Sequence, residues 1–257
     1  MPDWGLGKYE LTAADLEPVA QRVVAMASPL RHERVLDIAC GTGNAALAAA
    51  RFRAKVTGID QAPRLIEVAR RRAQDEGLDA TFEVGDAEKL DLPDGSFDVA
   101  VSVFGMIFAP DSDRAFGEMI RVLRAGGRGF LSVWVPGGAI DGMVDVFLRA
   151  MAEATGSTGP PRFAWHDRAE AEAMAKRHGA TVTVHEGELP FVAESPEDFL
   201  TRHLTYHPMS MAMNPVLEEA GSMESVRQEA LEVLTRGNED PEGFRVTSRY
   251  RILEVRR

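Results

Sequence analysis

Residues 34–46 read RVLDIACGTGNAA, and this stretch decides the fold. Its residues 35–38 are a short apolar run, which is typical of a strand buried on both faces of a parallel sheet. A turn containing Gly41 and Gly43 follows, and an alanine-rich segment then begins a helix. A strand, a glycine turn and a helix in this order direct backbone N–H groups at a ligand. The pattern also satisfies the loose dinucleotide fingerprint, so by itself it predicts only a nucleotide-like cofactor.

The composition is that of a globular protein with an acidic surface. The chain has 257 residues, of which 45% are hydrophobic and 27% are charged, and its formal net charge is -11. An acidic chain is a poor general binder of nucleic acid, because a phosphate backbone attracts clustered lysines and arginines. No apolar run approaches the ~18–20 residues of a membrane span, and no secretory signal precedes Trp4. We therefore expect a cytoplasmic protein with no nucleic-acid and no membrane partner.

Three residue types that often mark function have ordinary interpretations here. The basic run Arg70–Arg72 lies in a highly charged segment, so we interpret it as a solvated helix face. The histidines show no metal-ligand spacing, and we predict no metal. The single cysteine, Cys40, excludes an internal disulfide and a cysteine zinc site, and we interpret it as a small packing residue.

Short apolar runs alternate with amphipathic helical segments through about the first 135 residues. Strands are predicted at residues 35–38, 55–59, 81–84, 97–104 and 128–135. The helix before the last of these strands is expected to stop at Gly126 and Gly127. The alternation predicts an α/β fold with a doubly wound, mainly parallel sheet and a cofactor at the carboxyl ends of its strands. Asp37, Asp60 and Asp86 all fall at or near such strand ends.

The remainder of the chain is mainly helical in pattern. Helices are predicted at residues 140–151, 169–178, 195–204 and 215–234, and strands at 180–184 and 245–255. A methionine-rich stretch, residues 209–213, is expected to separate the last two helices. The predicted organisation is a helical lead-in at 1–30, a cofactor-binding core at 31–136, a helical cap and substrate region at 137–240 with one sheet strand near 180–189, and a terminal strand of the core sheet at 241–257.

Asp37, Gly41, Gly43, Asp60 and Asp86-Ala87 together resemble the S-adenosylmethionine site of class I methyltransferases. The resemblance covers roughly residues 30 to 135 plus the terminal strand, and it is to the ubiquinone/menaquinone-biosynthesis-like (methyltransferase type 11) group. It implies a Rossmann-like, seven-stranded sheet with an antiparallel terminal strand.

Three further stretches bear on this resemblance. Leu123–Gly127 matches the helix-to-strand turn of those enzymes, in which proline is commoner than Ala125. Two stretches, Trp4–Tyr9 and Phe104–Pro110, resemble the corresponding segments of a bacterial subgroup of these enzymes that acts on small molecules. Ala39 departs from the family, which usually has glycine at that position, and a methyl group there is a mild change.

The resemblance implies a role for each carboxylate. Asp60 would accept hydrogen bonds from the ribose hydroxyls, Asp86 would accept one from the adenine amino group beside the Ala87 N–H, and Asp37 would attract the ammonium of the methionine portion. The other implied cofactor contacts are Tyr9, Ala39, Gly41, Thr42, Gly43, Gln61, Val103 and Phe104. The alternative for each aspartate is that it only caps a helix or turn.

The activity that the resemblance implies is methyl transfer from S-adenosylmethionine to a small molecule, mainly by in-line positioning. Aromatic and soft side chains favour a partly apolar acceptor. The candidate acceptor-binding residues are Phe108, Trp134, Phe147, Trp165, His203, Tyr206 and Met209. His166, His203 and Tyr206 are candidates for a general base, but the sequence assigns no catalytic residue. We expect a monomer or homodimer.

Two other functions remain open at this stage. A nicotinamide-dependent oxidoreductase would explain the glycine fingerprint, but it would leave Asp86-Ala87 unexplained and lacks a Tyr-x-x-x-Lys pair. A protein that binds S-adenosylmethionine without transferring its methyl group would carry the same cofactor motifs.

Overall fold

The computed structural model describes residues 3–158 and 163–257, which divide into two compact units. The sheet unit contains Leu16–Trp134, Phe163–Gly187 and Tyr250–Arg257. The helical unit contains the described residues of Met1–Asp15, Val135–Arg162 and Glu188–Arg249. Among the described residues, no helix combines the length and the apolar composition needed to cross a membrane.

The described residues form a seven-stranded sheet with the order β3-β2-β1-β4-β5-β7-β6. The strands are β1 Arg34–Ile38, β2 Lys55–Asp60, β3 Ala80–Val84, β4 Phe97–Val103, β5 Leu123–Trp134, β6 Thr181–Ala193 and β7 Phe244–Arg256. Strands β1 to β5 pair in parallel, and β7 pairs with β5 antiparallel. The predicted mainly parallel, seven-stranded sheet with an antiparallel terminal strand is confirmed.

Helices alternate with and follow the strands along the described residues. They are α1 Tyr9–Ala27, α2 Asn44–Ala50, α3 Pro63–Glu76, α4 Ser112–Val122, α5 Gly138–Thr155, α6 Arg168–Arg177, α7 Pro196–Tyr206, α8 Pro208–Glu219 and α9 Met223–Arg236. A short 3-10 helix covers Met106–Phe108. The alternation of β1 to β5 with α2, α3 and α4 gives the doubly wound arrangement that the sequence predicts.

Two predicted helix boundaries are wrong. Helix α4 ends at Val122, before the predicted glycine stop, because Leu123 has an extended backbone and pairs with Phe97 of β4. The predicted helix at 215–234 is two helices, α8 and α9, separated by Gly221 at φ 68. The methionine stretch lies inside α8, because Pro208 begins that helix at its first turn, where a missing N–H is harmless.

Each unit has its own hydrophobic core. In the sheet unit, Val35 and Leu36 of β1 point to opposite faces of the sheet, and both are buried. This confirms that the opening apolar run is a strand covered on both faces. In the helical unit, the core is built mainly from side chains of α5, α7, α8 and α9, which include Phe147, Phe199 and Leu217.

Arg128 joins the end of α1 to the start of the parallel part of β5. Its guanidinium donates to both carboxylate oxygens of Glu33, at 2.9 and 2.7 Å, and to the backbone carbonyls of Ala27 and Ser28, at 2.8 and 3.1 Å. Both charged side chains are 14% exposed. The hydrogen bond from Arg128 lowers the pKa of Glu33, so the pair is ionised when folded.

Arg128→Met should lower the free energy of unfolding at pH 7 by about 1–3 kcal/mol, because it leaves Glu33 and two carbonyls without this donor. Arg124→Met is the matched control, since its guanidinium pairs with Asp98 while 49% exposed, and should change stability by less than about 1 kcal/mol. Urea denaturation measures both.

The contribution of Glu33 to stability should depend on pH. Its folded pKa is lowered, so this contribution is present above its ordinary pKa and is lost as pH falls. Equal losses of unfolding free energy in the two variants would contradict a stabilising role for the Arg128–Glu33 pair. So would a difference in unfolding free energy between the parent and Arg128→Met that does not become smaller in acid.

Candidate cofactor-binding site

The carboxylate of Asp60, at the end of β2, holds the turn that follows β1. Its Oδ2 accepts a hydrogen bond from the Gly41 N–H and its Oδ1 accepts one from the Ala62 N–H, both at 2.8 Å. The side chain is buried, and burial raises the pKa of Asp60 while these two hydrogen bonds oppose the rise. Asp60 therefore caps a turn, as the simpler interpretation predicts. The two amides use two of roughly four acceptor positions on a carboxylate.

Asp37 lies in β1, one residue before its end, and is 1% exposed. Its Oδ2 accepts a hydrogen bond of 2.8 Å from the backbone N–H of Ala46, in the first turn of α2. Burial, and to a smaller extent the charge of Asp60, raise the pKa of Asp37 to about 7, and the hydrogen bond from the Ala46 N–H opposes this rise. This carboxylate is thus close enough to neutrality that a bound cation would ionise it.

The turn itself depends on left-handed backbone conformations. Gly41 and Gly43 have φ 54 and φ 87, which glycine adopts without strain. A Cβ on Gly43 would lie 3.1 Å from ring carbons of Phe82. Ala39 has φ 55 despite its methyl group, which explains why glycine is usual at this position in the family.

The loop after β3 lies beside the end of β2. The Gly85 N–H donates to the backbone carbonyl of Asp60 at 3.0 Å. Asp86 is exposed, and its Oδ1 accepts a hydrogen bond of 2.9 Å from the Glu88 N–H. Gly85, which is hydrogen-bonded to Asp60, therefore directly precedes Asp86 and the half-buried Ala87 in the chain.

Two buried serines, which the sequence analysis did not single out, fix the loop after β4. The Ser102 hydroxyl donates to the carbonyl of Ile38 at 2.7 Å and accepts from the Met106 N–H at 3.0 Å. Ser132 accepts a hydrogen bond of 3.0 Å from the backbone N–H of Phe104, which has φ 54. The loop after β4 is thereby bound to β1 and β5. A serine inside an apolar strand pattern is the signal that could have revealed it.

The side chain of Phe104 belongs to an aromatic cluster. Its ring stacks on Trp134 with 3.8 Å between centroids and an interplanar angle of 3°, and Tyr250 meets it edge-on at 5.8 Å. Phe104 is buried, whereas Trp134 and Val103 are half-buried. The structure thus brings together one predicted cofactor contact and one predicted acceptor contact at the ends of neighbouring strands.

The basic run on α3 is not a uniformly solvated face. Arg71 is exposed, as predicted, and Arg70 donates to the backbone carbonyl of Phe82. The prediction is wrong for Arg72, whose guanidinium donates to Thr42 and Asn44 in the glycine turn. Helical spacing explains the difference, since successive residues on a helix face different directions.

The remaining predicted contacts are divided between the two units. Thr42 is buried, Gln61 is exposed, Phe108 lies in the 3-10 helix, and Trp165 lies in the core of the sheet unit. The helical unit contains Tyr9, Phe147, His203, Tyr206 and Met209. Of these, Phe147 is part of the core of that unit.

His203 stacks on His207 in the helical unit, with 4.4 Å between ring centroids. Burial lowers the pKa of His203 to about 3 and that of His207 to about 4. His207 Nδ1 accepts a hydrogen bond of 3.3 Å from the Met209 N–H. Both imidazoles are therefore neutral at pH 7, and both are weak proton acceptors.

Comparison with known proteins agrees with this geometry. A family described as a methyltransferase domain matches residues 35–127. Two proteins of Mycobacterium tuberculosis, both named as uncharacterized, are 34% and 30% identical over 163 and 187 residues. These matches cover 63% and 72% of this chain, and 59% and 68% of those proteins. The chain thus spans about three-fifths to two-thirds of these relatives.

Two other proteins add a named activity and a shared fold. Demethylmenaquinone methyltransferase from Thermus thermophilus is 41% identical over 110 residues, which is 42% of this chain and 50% of that protein. The crystal structure of the YcgJ protein from Bacillus subtilis aligns with a TM-score of 0.62 over 93% of this chain and 97% of that chain. At 19% identity, this alignment shows the fold.

The chain belongs to the class I S-adenosylmethionine-dependent methyltransferases. S-adenosylmethionine is the cofactor of this family, and the residues described here fit it. Asp37 offers a buried carboxylate to an ammonium group, and Asp60 has acceptor positions beyond those used by the turn. This family membership does not support a nicotinamide-dependent oxidoreductase.

Asp37→Asn should stabilise the protein in base, because the folded pKa of Asp37 is raised to about 7. The unfolded state releases this proton near its ordinary value of 3.8, so the contribution of Asp37 to stability falls as pH rises from about 4 to about 7. The asparagine keeps an acceptor oxygen for the Ala46 N–H. We expect the free energy of unfolding at pH 8 to increase by roughly 1–3 kcal/mol, and the gain to disappear near pH 4. Denaturation at pH 4, 6 and 8 tests this, and parallel pH profiles would refute it.

Asp86→Asn should weaken cofactor binding without unfolding the loop. The amide oxygen can still accept from the Glu88 N–H. If Asp86 accepts from the adenine amino group, as the family resemblance implies, the amide nitrogen would face that group donor to donor. We expect the dissociation constant for S-adenosylhomocysteine to rise about tenfold, with thermal stability unchanged. Glu88→Gln provides a control that removes a charge from the same loop. Unchanged affinity in Asp86→Asn would exclude the adenine contact.

Proposed function

We propose that this protein transfers the methyl group of S-adenosylmethionine to a small, partly apolar molecule and releases S-adenosylhomocysteine. The observation that carries the proposal is the position of two buried carboxylates at the carboxyl ends of β1 and β2. Asp60 is hydrogen-bonded to Gly41 of the glycine turn, and Asp37 to Ala46 of the helix after it. The proposed cofactor contacts include Asp86, Ala87 and Phe104 as well. The activity named for the Thermus relative, methylation of demethylmenaquinone, supports the reaction class.

Positioning is the main task that this chemistry leaves to the protein. When bound, S-adenosylmethionine supplies a methyl group on a sulfonium, which is already a good leaving group. For the acceptor to bond to that methyl carbon while the carbon–sulfur bond breaks and its electron pair stays on sulfur, the protein would have to hold the acceptor in line with the carbon–sulfur bond. Alignment at near-attack distance lowers the barrier by several kcal/mol without a charged catalyst. The Phe104–Trp134 stack supports such alignment, because its two parallel rings form an apolar surface.

The low pKa of His203 favours a positioning role over general-base catalysis for that residue. A pKa of about 3 makes His203 neutral, yet it also makes this imidazole a weak base at pH 7. An acceptor whose reactive atom has already lost its proton, or never carried one, would need no such base. We therefore propose an acceptor that is nucleophilic at neutral pH.

The remaining features of the proposal concern partners and location. The net charge of -11 disfavours nucleic acid as the acceptor. We propose a monomer or homodimer that acts in the cytoplasm, with residues 137–240 serving as the substrate region. Candidate acceptor contacts in that region are His203, Tyr206 and Met209, whereas the other two candidates, Phe147 and Trp165, are buried in the cores of their units.

The test is calorimetric titration with S-adenosylmethionine, S-adenosylhomocysteine and NADPH, followed by an acceptor panel with detection of S-adenosylhomocysteine. We expect both adenosyl compounds to bind and NADPH not to bind. Asp60→Ala should weaken binding by roughly 1–3 kcal/mol, because it removes a charge-assisted acceptor. Cys40→Ala should bind like the parent. Binding with no product from any acceptor would favour a protein that uses the cofactor without methyl transfer, and binding of NADPH alone would overturn the proposal.

A further inference from the structure

Arg72 reaches from α3 into the glycine turn that follows β1. Its Nη1 lies 2.9 Å from the Thr42 carbonyl oxygen, 3.3 Å from the Thr42 hydroxyl and 2.7 Å from the Asn44 side-chain oxygen. Arg72 is half-buried, so these contacts are partly shielded from water. A single cationic nitrogen thus contacts residues on both sides of Gly43.

Gly41 and Gly43 contribute no side chains to restrain the glycine turn, although a backbone hydrogen bond from the Gly43 N–H to the Cys40 carbonyl closes it. Gly43 occupies the N-cap position of α2 and has no side chain to bond the first turn of that helix. Glycines also gain the most backbone freedom when a segment loosens. Asn44 and Thr42 flank Gly43 and provide the side-chain oxygens that Arg72 binds. The anchor therefore comes from outside the turn.

Arg72 and Asp60 hold the two polar sides of the same turn. Asp60 accepts from the Gly41 N–H, and Arg72 donates to the Thr42 carbonyl. The N–H of the Thr42–Gly43 peptide donates to the Cys40 carbonyl at 2.9 Å. Because a peptide is planar, bonds to its C=O and its N–H fix its orientation. The Thr42–Gly43 peptide is thus held through both its C=O and its N–H.

The neighbouring arginines separate this role from the general effect of charge. Arg70 donates through its Nε to the backbone carbonyl of Phe82 at 3.0 Å, so it connects α3 to β3. Arg71 is exposed on the same helix. The three consecutive arginines therefore have different surroundings. Among the hydrogen bonds of the described residues, only those of Arg72 reach the glycine turn from this run.

We propose that Arg72 is a positioning residue for cofactor binding. It preorganises Thr42–Asn44, so that the turn does not have to be ordered when the methionine portion of the cofactor binds. Arg72 acts through the turn and has no contact with the reacting atoms. The consequence for cofactor affinity rests on the proposed function, whereas the ordering of the turn does not.

The binding experiment compares Arg72→Met with Arg71→Met, which removes the same charge from the same helix. Titration with S-adenosylhomocysteine should give a dissociation constant about tenfold higher for Arg72→Met and an unchanged one for Arg71→Met. Arg72→Lys keeps a cationic donor and should restore part of the affinity. With an active acceptor, Arg72→Met should raise the KM for S-adenosylmethionine and leave kcat at saturation near the parent value. A purely structural arginine would not produce this split.

A second measurement tests the inference even if no cofactor binds. Amide hydrogen exchange of the cofactor-free protein should be faster at Gly43 to Ala46 in Arg72→Met than in Arg71→Met. Arg70→Met should instead speed amide hydrogen exchange in β3, because Arg70 is bonded to Phe82 of that strand. If the parent fails to bind S-adenosylhomocysteine, the proposed function fails, while exchange still decides the role of Arg72. Equal exchange at these amides in the Arg72 and Arg71 variants, or equal cofactor affinity, would overturn the inference.

Discussion

The hydrogen bonds from the Gly41 and Ala62 amides to the Asp60 carboxylate are the constraint on which the site depends. They connect the end of β2 to the turn after β1, at 2.8 Å on each oxygen. A buried carboxylate needs such partners, because an unpaired charge in the interior is very costly. The backbone carbonyl of the same residue accepts from Gly85 and so places the loop that carries Asp86. One residue at a strand end thereby orders three loops.

Close backbone approach imposes a second constraint on the loop after β4. A Cβ on Gly105 would lie 2.5 Å from the Ala39 Cβ and 2.6 Å from the Ala39 carbonyl oxygen, distances at which one of them must move. Ala39 itself occupies the left-handed region, so this protein tolerates a strained alanine where its family usually has glycine. The glycine at 105 compensates for that methyl group. Backbone strain of this kind is concentrated at functional sites, where the surrounding structure over-determines the conformation.

The site also carries an electrostatic cost. Asp37 and Asp60 are both buried, and the charge of Asp60 raises the pKa of Asp37. Two carboxylates near each other are unfavourable for folding, but they attract a ligand that brings positive charge and hydroxyl donors. The proposed binding of such a ligand would offset this cost. The Arg72 contacts, by contrast, hold the adjoining turn without adding negative charge to the site.

The sequence by itself determined the order of strands and helices in the sheet unit, the glycine turn and the strand-end aspartates. These follow from local pattern, because apolar runs, glycines and strand-end carboxylates are short-range features. It misplaced the end of α4 and joined α8 to α9, since sheet pairing at Leu123 and a left-handed glycine at 221 decided those boundaries. Only the tertiary structure showed that Ser102 connects the end of β4 to Ile38 of β1, that Ser132 of β5 binds Phe104, and that Arg72 holds the turn. Those contacts join residues that are 28 to 64 positions apart in sequence, and local periodicity carries no information about such distant partners.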